Sequence, residues 1–557
     1  MTTTSSAAPA PGAPRAAAAA TTAAQDAGML PILVLAAAQF VMVLDSSVMN
    51  VSISQIVADL DTTVQGVQAA ITFYTLVMAA LMLLGAKLGD VLGRSRAFAI
   101  GLAIYGLGSL TTALSPNLAV LLIGWSTIEG IGAALVIPAI MALIVSTYTG
   151  RRRATAFGIV GGAAGAAIAT GPLIGGWVTT ELSWRYVFVG EVVVVAAILT
   201  ARRRILPDVK PVNPPKLDLV GAALAGTGLG LAVFGILKSS TWGWVEPLAT
   251  PAIGGHAITP LGFSVVPFLI LAGVGLLLGF TAWEERKERL GQDPLLDRRL
   301  LRIPPLRAGL SALAAQQLTL LGTFFVLPVY LQLVLGLNAF DTGKRLFPMS
   351  VTMFVAALAG PRLAGDFAPK RVAQAGFTAL AAGAFLLLDT IGPELNGADF
   401  TIALALFGIG AGLLISQLGN IIMSAAPEAQ TNEAGGLQGT AQNLGASLGT
   451  ALIGSILIAA LTAGFTTRVE QNAAVPRAAR AQLAETARQG IPIVATADVE
   501  QAARKAGATA AQAQAIAADY GDAELDALKR ALGAVGALAL LSLWFTRRLP
   551  GRPDEKR

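Results

Sequence analysis

The sequence predicts an all-α integral membrane protein with about fourteen transmembrane helices, and three observations lead to that fold class. First, 54% of the 557 residues are hydrophobic and only 13% are charged, which is too few for the surface of a soluble domain of this size. Second, apolar runs of about 20 residues, enough to cross the roughly 30 Å hydrocarbon core, recur along the chain. Third, Lys and Arg concentrate in every second loop between these runs, as is typical of cytoplasmic loops.

The predicted spans form two groups of six with two extra spans between them. The N-terminal group occupies residues 27–204, the extra spans and a basic linker occupy 205–306, and the C-terminal group occupies 307–546. Residues 1–26 are expected to be a disordered cytoplasmic tail, and 547–557 a basic cytoplasmic tail. The fourteen spans are predicted near 30–55, 67–89, 97–115, 118–147, 154–178, 184–201, 217–238, 261–283, 308–335, 343–364, 371–391, 398–422, 437–463 and 527–546.

The basic residues predict the orientation of the chain. Segments such as "GRSR", "GRRRA" and "ARRR" lie on one side, whereas the short loops on the other side hold only four Lys and Arg residues. The positive-inside rule therefore predicts that both termini are cytoplasmic. The net charge of +6 then reflects this topology and the anionic headgroups of the lipid bilayer, so no nucleic-acid partner is expected.

One predicted outer segment is long. Residues 464–526 are rich in Ala and mixed in charge, and we expect a few short surface helices over the outer mouth; a docking site for an accessory protein is the alternative. The absence of Cys excludes disulfides and thiolate metal sites. The single histidine, His256, lies in an outer loop and is assigned no role. No nucleotide-binding P-loop is present, and we predict no catalytic site, metal site or cofactor.

The loop after span 2 carries the first motif. It reads "AKLGDVLGRSR", residues 86–96, and resembles the loop signature G-x-L-x-D-x-x-G-R-[KR] of the major facilitator superfamily. The resemblance implies a fold of two six-helix bundles. It also implies gating roles for Asp90, Gly93 and Arg94, which would latch the cytoplasmic face shut. Ala86 takes the place of the first Gly, and Ser95 replaces a base.

Span 5 carries the second motif. Its segment "GPLIGG" matches the motif G-P-x-x-G-G of proton-coupled exporters in this superfamily, and so implies export. Small residues spaced along one helical face, including Gly158, Gly162 and Gly165, predict close approach of neighbouring helix backbones. The residues of the antiporter motif are Gly171, Pro172, Gly175 and Gly176.

Span 1 contains the isolated acid Asp45 within "LDSSVMNVSI". This segment resembles the first-helix signature L-D-x-T-x-V-N-V-A-L of the fourteen-helix drug:proton antiporters. Two further acids stand where that family has amides: Glu191 replaces an Asn in span 6, and Glu129 replaces a Gln in span 4. Span 4 departs most from the family pattern, since Ser126 also fills a position that is usually Arg.

These three acids are the predicted proton-coupling residues. A helix rises 1.5 Å per residue, so all three lie at outer-to-middle depth, with Glu191 about 8 Å from the outer surface. A charge there costs at least about 2.5–3.5 kcal/mol, and low-dielectric surroundings favour the neutral form of a carboxyl group. Such a group can take a proton on one side and release it on the other. An alternative exists for two of these acids. In it, Asp45 is instead a packing residue whose carboxylate is hydrogen-bonded by Ser46 and neighbouring helices, and Glu191 is instead solvated.

The second half has no acid at comparable depth and carries amides instead. Most amides in membranes join helices, but a subset facing a central cavity could orient cargo. The candidates for that cavity are Gln316, Gln317, Gln417, Asn420, Gln442 and Asn443.

Together these features predict a proton-coupled multidrug efflux antiporter, not an enzyme, in a bacterial plasma (inner) membrane. It is expected to act as a monomer, to use the proton gradient as its energy source, and to confer resistance to amphipathic drugs or antibiotics. Two alternatives remain open. One is a dedicated exporter of a single lipid or secondary metabolite. The other is a non-transporting membrane receptor or scaffold that acts through residues 464–526.

Overall fold

The structure is a computed structural model, and it describes most of the chain. The described residues are 28–148, 150–205, 216–248, 251–253, 256–427, 430–488 and 491–551. The predicted tail 1–26 lies outside them, as do residues 552–557 of the predicted C-terminal tail.

Fourteen long helices account for most of the described residues, and eleven of them are long and apolar enough to cross a membrane by length and composition. The prediction of an all-α membrane protein with about fourteen helices is confirmed. The long helices, called spans 1 to 14, are Leu30–Val51, Val64–Leu92, Arg94–Ala113, Leu118–Thr147, Gly150–Glu181, Arg185–Ile205, Leu219–Trp242, Val265–Arg289, Pro304–Val334, Ala339–Asp366, Pro369–Thr390, Gly397–Ala425, Thr431–Gln471 and Ala510–Ser542.

The remaining regular structure is short. Two strands of two residues each, Ala252–Ile253 and His256–Ala257, pair in antiparallel fashion in the loop between spans 7 and 8. The short helices are Ile53–Asp59, Pro260–Gly262, Arg298–Arg302, Arg477–Arg488, Thr496–Lys505 and Phe545–Arg548. Here "inner" and "outer" denote the two faces of the membrane as the basic loops predict them.

Local sequence signals set several helix ends. Span 2 begins after Thr63, whose side chain accepts a hydrogen bond from the Gly66 amide, and a capping hydroxyl of this kind satisfies one of the free amides of a first turn. The same span ends at Gly93, whose φ of +94° suits glycine. Span 14 begins with a reciprocal capping box between Thr509 and Gln512.

The two halves meet along two pairs of helices, and the first pair is span 2 with span 13. It is in contact from end to end. Near the outer end the Gln68 side-chain amide donates to the Thr450 carbonyl at 2.9 Å. Near the inner end Lys87 forms a 2.8 Å ion pair with Glu433.

The second pair, span 5 with span 10, is in close contact towards its outer end. There the Phe340 amide donates to the Thr180 hydroxyl at 3.1 Å. The inner part of span 5 does not lie close to a neighbouring helix at two of its glycines. A Cβ atom added at Gly158 or Gly162 would have no neighbour within 4 Å. The prediction of close helix packing at these two glycines is therefore wrong, whereas Gly165 does face the Phe354 ring.

Spans 7 and 8 pack against each other and lie beside the junction of the halves. Gly228 and Gly273 face each other's backbone across the pair. Span 7 also contacts span 13 through a 2.6 Å hydrogen bond between the hydroxyls of Ser239 and Ser455. The extra spans are thus attached to the side of the bundle at which spans 2 and 13 meet.

The long outer segment is more helical than predicted. Span 13 continues to Gln471 and span 14 begins at Ala510, so both helices extend beyond the predicted limits of 464–526. The two short helices between them, Arg477–Arg488 and Thr496–Lys505, agree with the expected surface helices. Polar caps and Ala-rich composition let helices of this kind continue past the apolar stretch on which the limits were based.

Candidate functional site: a buried cluster of three carboxyl groups

The three predicted coupling acids come together in one place. Asp45 and Glu129 are fully buried and Glu191 is 3% exposed. One carboxyl oxygen from each residue can be chosen so that all three lie within 4.8 Å of one another. Residues from spans 1, 4 and 6, which are far apart in sequence, thus build a single polar cluster inside the first half.

Asp45 is held by an aromatic pair. The Trp125 indole N–H donates to both carboxyl oxygens of Asp45, at 2.9 and 3.0 Å. The Tyr74 ring stacks on Trp125, with centroids 4.7 Å apart and planes 6° from parallel. In the packing alternative, Ser46 and neighbouring helices satisfy Asp45. A neighbouring helix does so here through Trp125 of span 4, so the proton-coupling role of Asp45 stays a prediction.

Glu191 is also held by specific donors. Its Oε2 atom accepts hydrogen bonds from the Ser109 hydroxyl at 3.0 Å and from the Tyr105 hydroxyl at 3.3 Å. Its Oε1 atom is buried without a hydrogen-bond partner. The alternative in which Glu191 is solvated near the outer surface is therefore wrong, because the side chain points into the helix bundle and not towards water.

Glu129 differs from its two neighbours. Both of its carboxyl oxygens are buried without a hydrogen-bond partner. It is the last residue of a π-helix, Leu122–Glu129, that interrupts the α-helix of span 4 and also contains Trp125. Such π-turns are uncommon and are frequent at functional sites.

A glycine in span 3 makes room for Glu129. A Cβ atom added at Gly108 would lie 2.5 Å from the Glu129 amide nitrogen and 2.6 Å from its Cβ. A second close approach follows one turn of span 4 later, where a Cβ atom at Gly132 would lie 2.5 Å from the Tyr105 amide nitrogen. Spans 3 and 4 are therefore packed backbone to backbone beside the cluster.

No basic side chain neutralises the cluster. Among the residues that the structure describes, no Lys or Arg forms an ion pair with Asp45, Glu129 or Glu191, and their electrostatic neighbours are one another and two tyrosines. Ser126, in the position where the family pattern has Arg, donates to the Ala70 carbonyl at 2.8 Å. Three like-charged groups cannot all be ionised in such a place at reasonable cost, so the arrangement favours binding of positive charge.

The predicted gating residues lie at the inner face, at the turn between spans 2 and 3. The Arg94 guanidinium donates to the Ala142 carbonyl near the inner end of span 4 at 3.1 Å. Asp90 lines a small void together with Ala142 and Pro138. The loop thus rests on span 4 of its own half. Lys87, three residues before Asp90, reaches across to Glu433 in the other half. The gating role itself stays a prediction.

The antiporter motif lies where span 5 packs against spans 1 and 10. A Cβ atom added at Gly171 would lie 2.4 Å from the Ser47 hydroxyl oxygen, and one at Gly175 would lie 2.6 Å from a Val48 methyl group. At Gly176 it would lie 2.5 Å from the Ala339 carbonyl oxygen.

Pro172 belongs to the same contact region. Its carbonyl oxygen would lie 2.1 Å from a Cβ atom added at Gly343 of span 10. Close backbone approach, predicted for the residues of this motif, is therefore present at the outer end of span 5. Ser47, which follows Asp45 by two residues, lies against Gly171. The motif therefore packs next to the segment that carries the acid.

The amides predicted to line a cavity do not form one set. Gln316 is fully buried with both amide atoms unpartnered, and Gln417 is 1% exposed with its Oε1 atom unpartnered. Gln317 is also buried, and the Asn443 side chain donates to the Gly439 carbonyl within its own helix. The remaining two candidates, Asn420 and Gln442, are exposed. A role in cargo binding stays a prediction for all six.

Sequence reasoning missed the groups that surround the carboxyls: Tyr74, Tyr105, Ser109 and Trp125. A signal was available for three of them. Tyr105 and Ser109 are four residues apart in span 3, and Trp125 precedes Glu129 by four residues, a spacing at which side chains of an α-helix are neighbours.

Comparison with known proteins agrees with this architecture. The Major Facilitator Superfamily matches residues 35–245 and 237–450. A probable actinorhodin transporter of Streptomyces coelicolor is 30% identical over 80% of this chain and 75% of its own length. The multidrug efflux pump LfrA of Mycolicibacterium smegmatis is 28% identical over 77% of this chain and 79% of its own.

A solved structure shares the fold. An inward-facing, unoccupied bacterial homologue of the human lysosomal transporter Spinster covers 93% of this chain and 97% of its own, with a TM-score of 0.57 and 14% identity. This likeness concerns the fold alone. The family match covers more than half of the chain, and so the protein belongs to the Major Facilitator Superfamily of multi-pass membrane transporters.

Proposed function

We propose that this protein is a proton-coupled efflux transporter that exports amphipathic drugs or related small molecules across a bacterial plasma membrane. The observation that carries the proposal is the buried cluster of Asp45, Glu129 and Glu191, which has no basic partner among the described residues. The antiporter motif beside span 1 supports export. Relatives named as antibiotic or multidrug exporters support the class of cargo.

The mechanism follows from alternating access. A proton from outside reduces the negative charge of the cluster by one while it is open to that side, which lowers the cost of buried charge. The transporter can then change its open face. On the inner side the proton leaves, the cluster regains charge, and cargo is carried outward on the return step. The chemistry is the movement of ions and cargo, with no covalent bond made or broken.

A dedicated exporter of one secondary metabolite is the second candidate. It is supported by the printed names of two relatives, a probable actinorhodin transporter and a tetracenomycin C resistance and export protein of Streptomyces glaucescens. Growth and accumulation assays with a panel of dyes and antibiotics, in a host without its own pumps, separate the two. Protection against many compounds favours the multidrug exporter, and protection against one favours the specialist.

The deciding experiment tests proton coupling at Asp45. Reconstituted vesicles with an imposed pH gradient should show uphill cargo efflux and proton flux for the unaltered protein. Asp45→Asn should lose both, since an amide cannot release a proton, but it should still bind cargo at equilibrium. Glu394→Gln is the matched control, because that carboxylate is exposed in an outer loop, and it should behave as the unaltered protein. Full gradient-driven efflux by Asp45→Asn would remove Asp45 from the mechanism.

A further inference from the structure

We propose that protons reach the carboxyl cluster through the outer end of the first half, by a route separate from that of cargo, and that the side chains of Asp59, Trp184 and Arg185 close this route. These three side chains are called the outer clamp. The use of the route in coupled transport rests on the proposed function, whereas control of access by the outer clamp is tested on its own.

The first argument is the position of the cluster inside one half. Among the described residues, every hydrogen-bonding or charged neighbour of its carboxyl groups belongs to the first half. Spans 3 and 6, which carry Tyr105, Ser109 and Glu191, pack against spans of their own half, and Glu129 lies against Gly108 of span 3. The halves meet elsewhere, along spans 2 and 13 and along spans 5 and 10. The acids therefore face the interior of their own half, and not the junction along which cargo would move.

The second argument is the short distance between the cluster and the outer face. Span 6 begins at Arg185 and reaches Glu191 after about 9 Å along its axis, whereas its inner end at Ile205 is about 21 Å away from that acid. One buried layer lies between the outer end and the cluster, and it contains Phe188 of span 6 and Thr112 of span 3. The outer end of the half is therefore the shorter way from water to the acids.

The outer clamp lies over this end of the half. The Asp59 carboxylate, at the end of the short helix that follows span 1, accepts hydrogen bonds from the Trp184 indole N–H at 2.9 Å and from the Arg185 guanidinium at 3.0 Å. The guanidinium also donates to the Ser115 carbonyl, between spans 3 and 4, at 3.0 Å, and it lies 4.4 Å from the centroid of the Trp184 ring. One side chain thus bridges the outer ends of spans 1, 3 and 6, which meet at the cluster further in.

Trp184 connects the outer clamp to the buried layer below it. Its ring is fully buried and meets the Phe188 ring edge to face, with centroids 5.9 Å apart. Phe188 is also fully buried and precedes Glu191 by three residues, a spacing at which helical side chains are neighbours. Movement of the outer clamp would therefore loosen the packing directly above the acid.

The charges of the outer clamp suit a part that opens and closes. The Arg185 and Asp59 side chains are 30% and 29% exposed, and ion pairs with this much contact to water contribute modestly to stability. The remaining described partner of Asp59 is the uncharged Gln55. Loss of Arg185 would therefore remove the bridge and leave a lone carboxylate at the entrance, which attracts protons.

The first test measures access with a thiol reporter, because the sequence contains no cysteine. Thr112→Cys places a single thiol in the buried layer between the outer clamp and the cluster. The full-length protein is reconstituted in vesicles with its outer face outwards, and a positively charged methanethiosulfonate reagent that does not cross membranes is added outside. Arg185→Ala should make modification of this thiol roughly tenfold faster, because the hydrogen bonds of a charged group are lost.

The second test measures proton entry without cargo. Vesicles that contain a pH-sensitive dye are given a pH gradient, and the leak of protons is followed. Arg185→Ala should leak faster than the unaltered protein, and Glu129→Gln in the same chain should stop the additional leak, because the route ends at the cluster. A merely structural role of the outer clamp would not make the leak depend on Glu129.

An ion pair elsewhere on the outer side provides the control. Arg504→Ala removes the partner of Glu500 in an outer helix, and it should change neither the modification rate nor the leak. If Arg185→Ala does not fold, Asp59→Asn takes its place in both tests. The amide keeps an acceptor for Trp184 but loses the charge that holds the guanidinium.

An unchanged modification rate and an unchanged leak in Arg185→Ala would overturn the proposal. Faster modification with a leak that survives Glu129→Gln would show that protons do not use the cluster, and it would overturn the proposed route. Failure of the unaltered protein to couple cargo efflux to proton flux would refute the proposed function. The dependence of thiol modification on Arg185 would then still decide whether the outer clamp controls access.

Discussion

The two six-helix halves bury polar groups of different kinds. Spans 1 to 6 enclose Asp45, Glu129 and Glu191, whose charge changes when a proton binds. Spans 9 to 14 enclose amides, of which Gln316 and Gln417 are the most deeply buried among the described candidates, and one buried acid that the sequence did not predict, Glu524 in the outer part of span 14. An amide has the same charge at every physiological pH. The comparison teaches that dependence on the proton gradient should belong to the first half, where three acids share one cluster, whereas the buried amides of the second half contribute polarity without titrating.

The sharpest way to break this comparison is to remove a carboxyl charge from the first half. Glu129→Gln should lower gradient-driven efflux by roughly a hundredfold or more, a change in activation free energy of about 2.7 kcal/mol. The reason is that neither Glu129 oxygen has a hydrogen-bond donor that could hold the neutral amide in the same position. Glu191→Gln should cost less, since Ser109 and Tyr105 can still bond its remaining oxygen.

Efflux and proton flux measured together in vesicles, over a series of pH values, check both variants. Either variant should also shift the pH optimum, because neighbouring buried carboxyls titrate as a group. If both transport uphill at the normal rate and pH optimum, the first half is not the coupling half.

The second largest effect is expected inside the first half, where the antiporter motif of span 5 packs against span 1. Gly175→Leu should abolish export, since its side chain would collide with Val48, while Gly175→Ala should be partly active. Overpacking of this kind typically costs about 1–3 kcal/mol. Gly158→Leu is the control because nothing lies within 4 Å of an added Cβ atom there. Export and membrane expression are compared for all three, and normal export by Gly175→Leu would contradict the close-packing account.

The fold could be predicted well from sequence, and the surroundings of the cluster could not. Apolar runs and basic loops reflect the bilayer directly, so the fourteen helices were accessible without a structure. Asp45 and Glu129 were also accessible, because a lone acid in an apolar run is unusual. For Glu191 the sequence left a solvated position open as the alternative, because counting residues from the loop gives depth along a helix but not the side towards which a side chain points.

The partners of the acids were hidden for a different reason. Trp125 and Tyr74 look like ordinary apolar filling in a sequence, and Gly108 looks like one small residue among many. Their roles depend on which helices touch. The π-helix of span 4 has no signature in the sequence that helical periodicity detects, yet it determines the direction in which Glu129 points.

A moderate effect is expected at the inner face, where the halves are joined by a charge pair. Glu433→Gln removes the partner of Lys87 and should change turnover severalfold, with cargo affinity nearly unchanged. A partly exposed ion pair contributes on the order of 0.2–1 kcal/mol. Asp90→Asn and Arg94→Ala should act in the same sense, by shifting the balance between open faces.

Equilibrium cargo binding on purified variants, compared with transport in vesicles, separates turnover from affinity. Glu288→Gln, in the linker region at the inner end of span 8, serves as the control for loss of one inner carboxylate. A large loss of cargo affinity with unchanged turnover would show that these residues are not gating residues.

The smallest effect on coupling is expected in the second half. Gln316→Leu replaces a buried amide without partners by an apolar side chain of similar size. Such a replacement can be nearly neutral for stability. It should alter the range of exported compounds. The proton flux per exported molecule should stay within about twofold of the unaltered protein, and the pH optimum should not change. A changed pH optimum would show that the second half takes part in coupling.

The π-helix of span 4 gives this helix an unusual dependence on its length. Successive residues of an α-helix are rotated by about 100° around the axis, so each residue added to or removed from a straight helix turns everything beyond it. Deleting one residue between Leu122 and Trp125 could let span 4 run as a continuous α-helix, which is the more stable form locally. It would also turn Glu129 away from Asp45. In this one turn of span 4, therefore, the number of residues is itself part of the site.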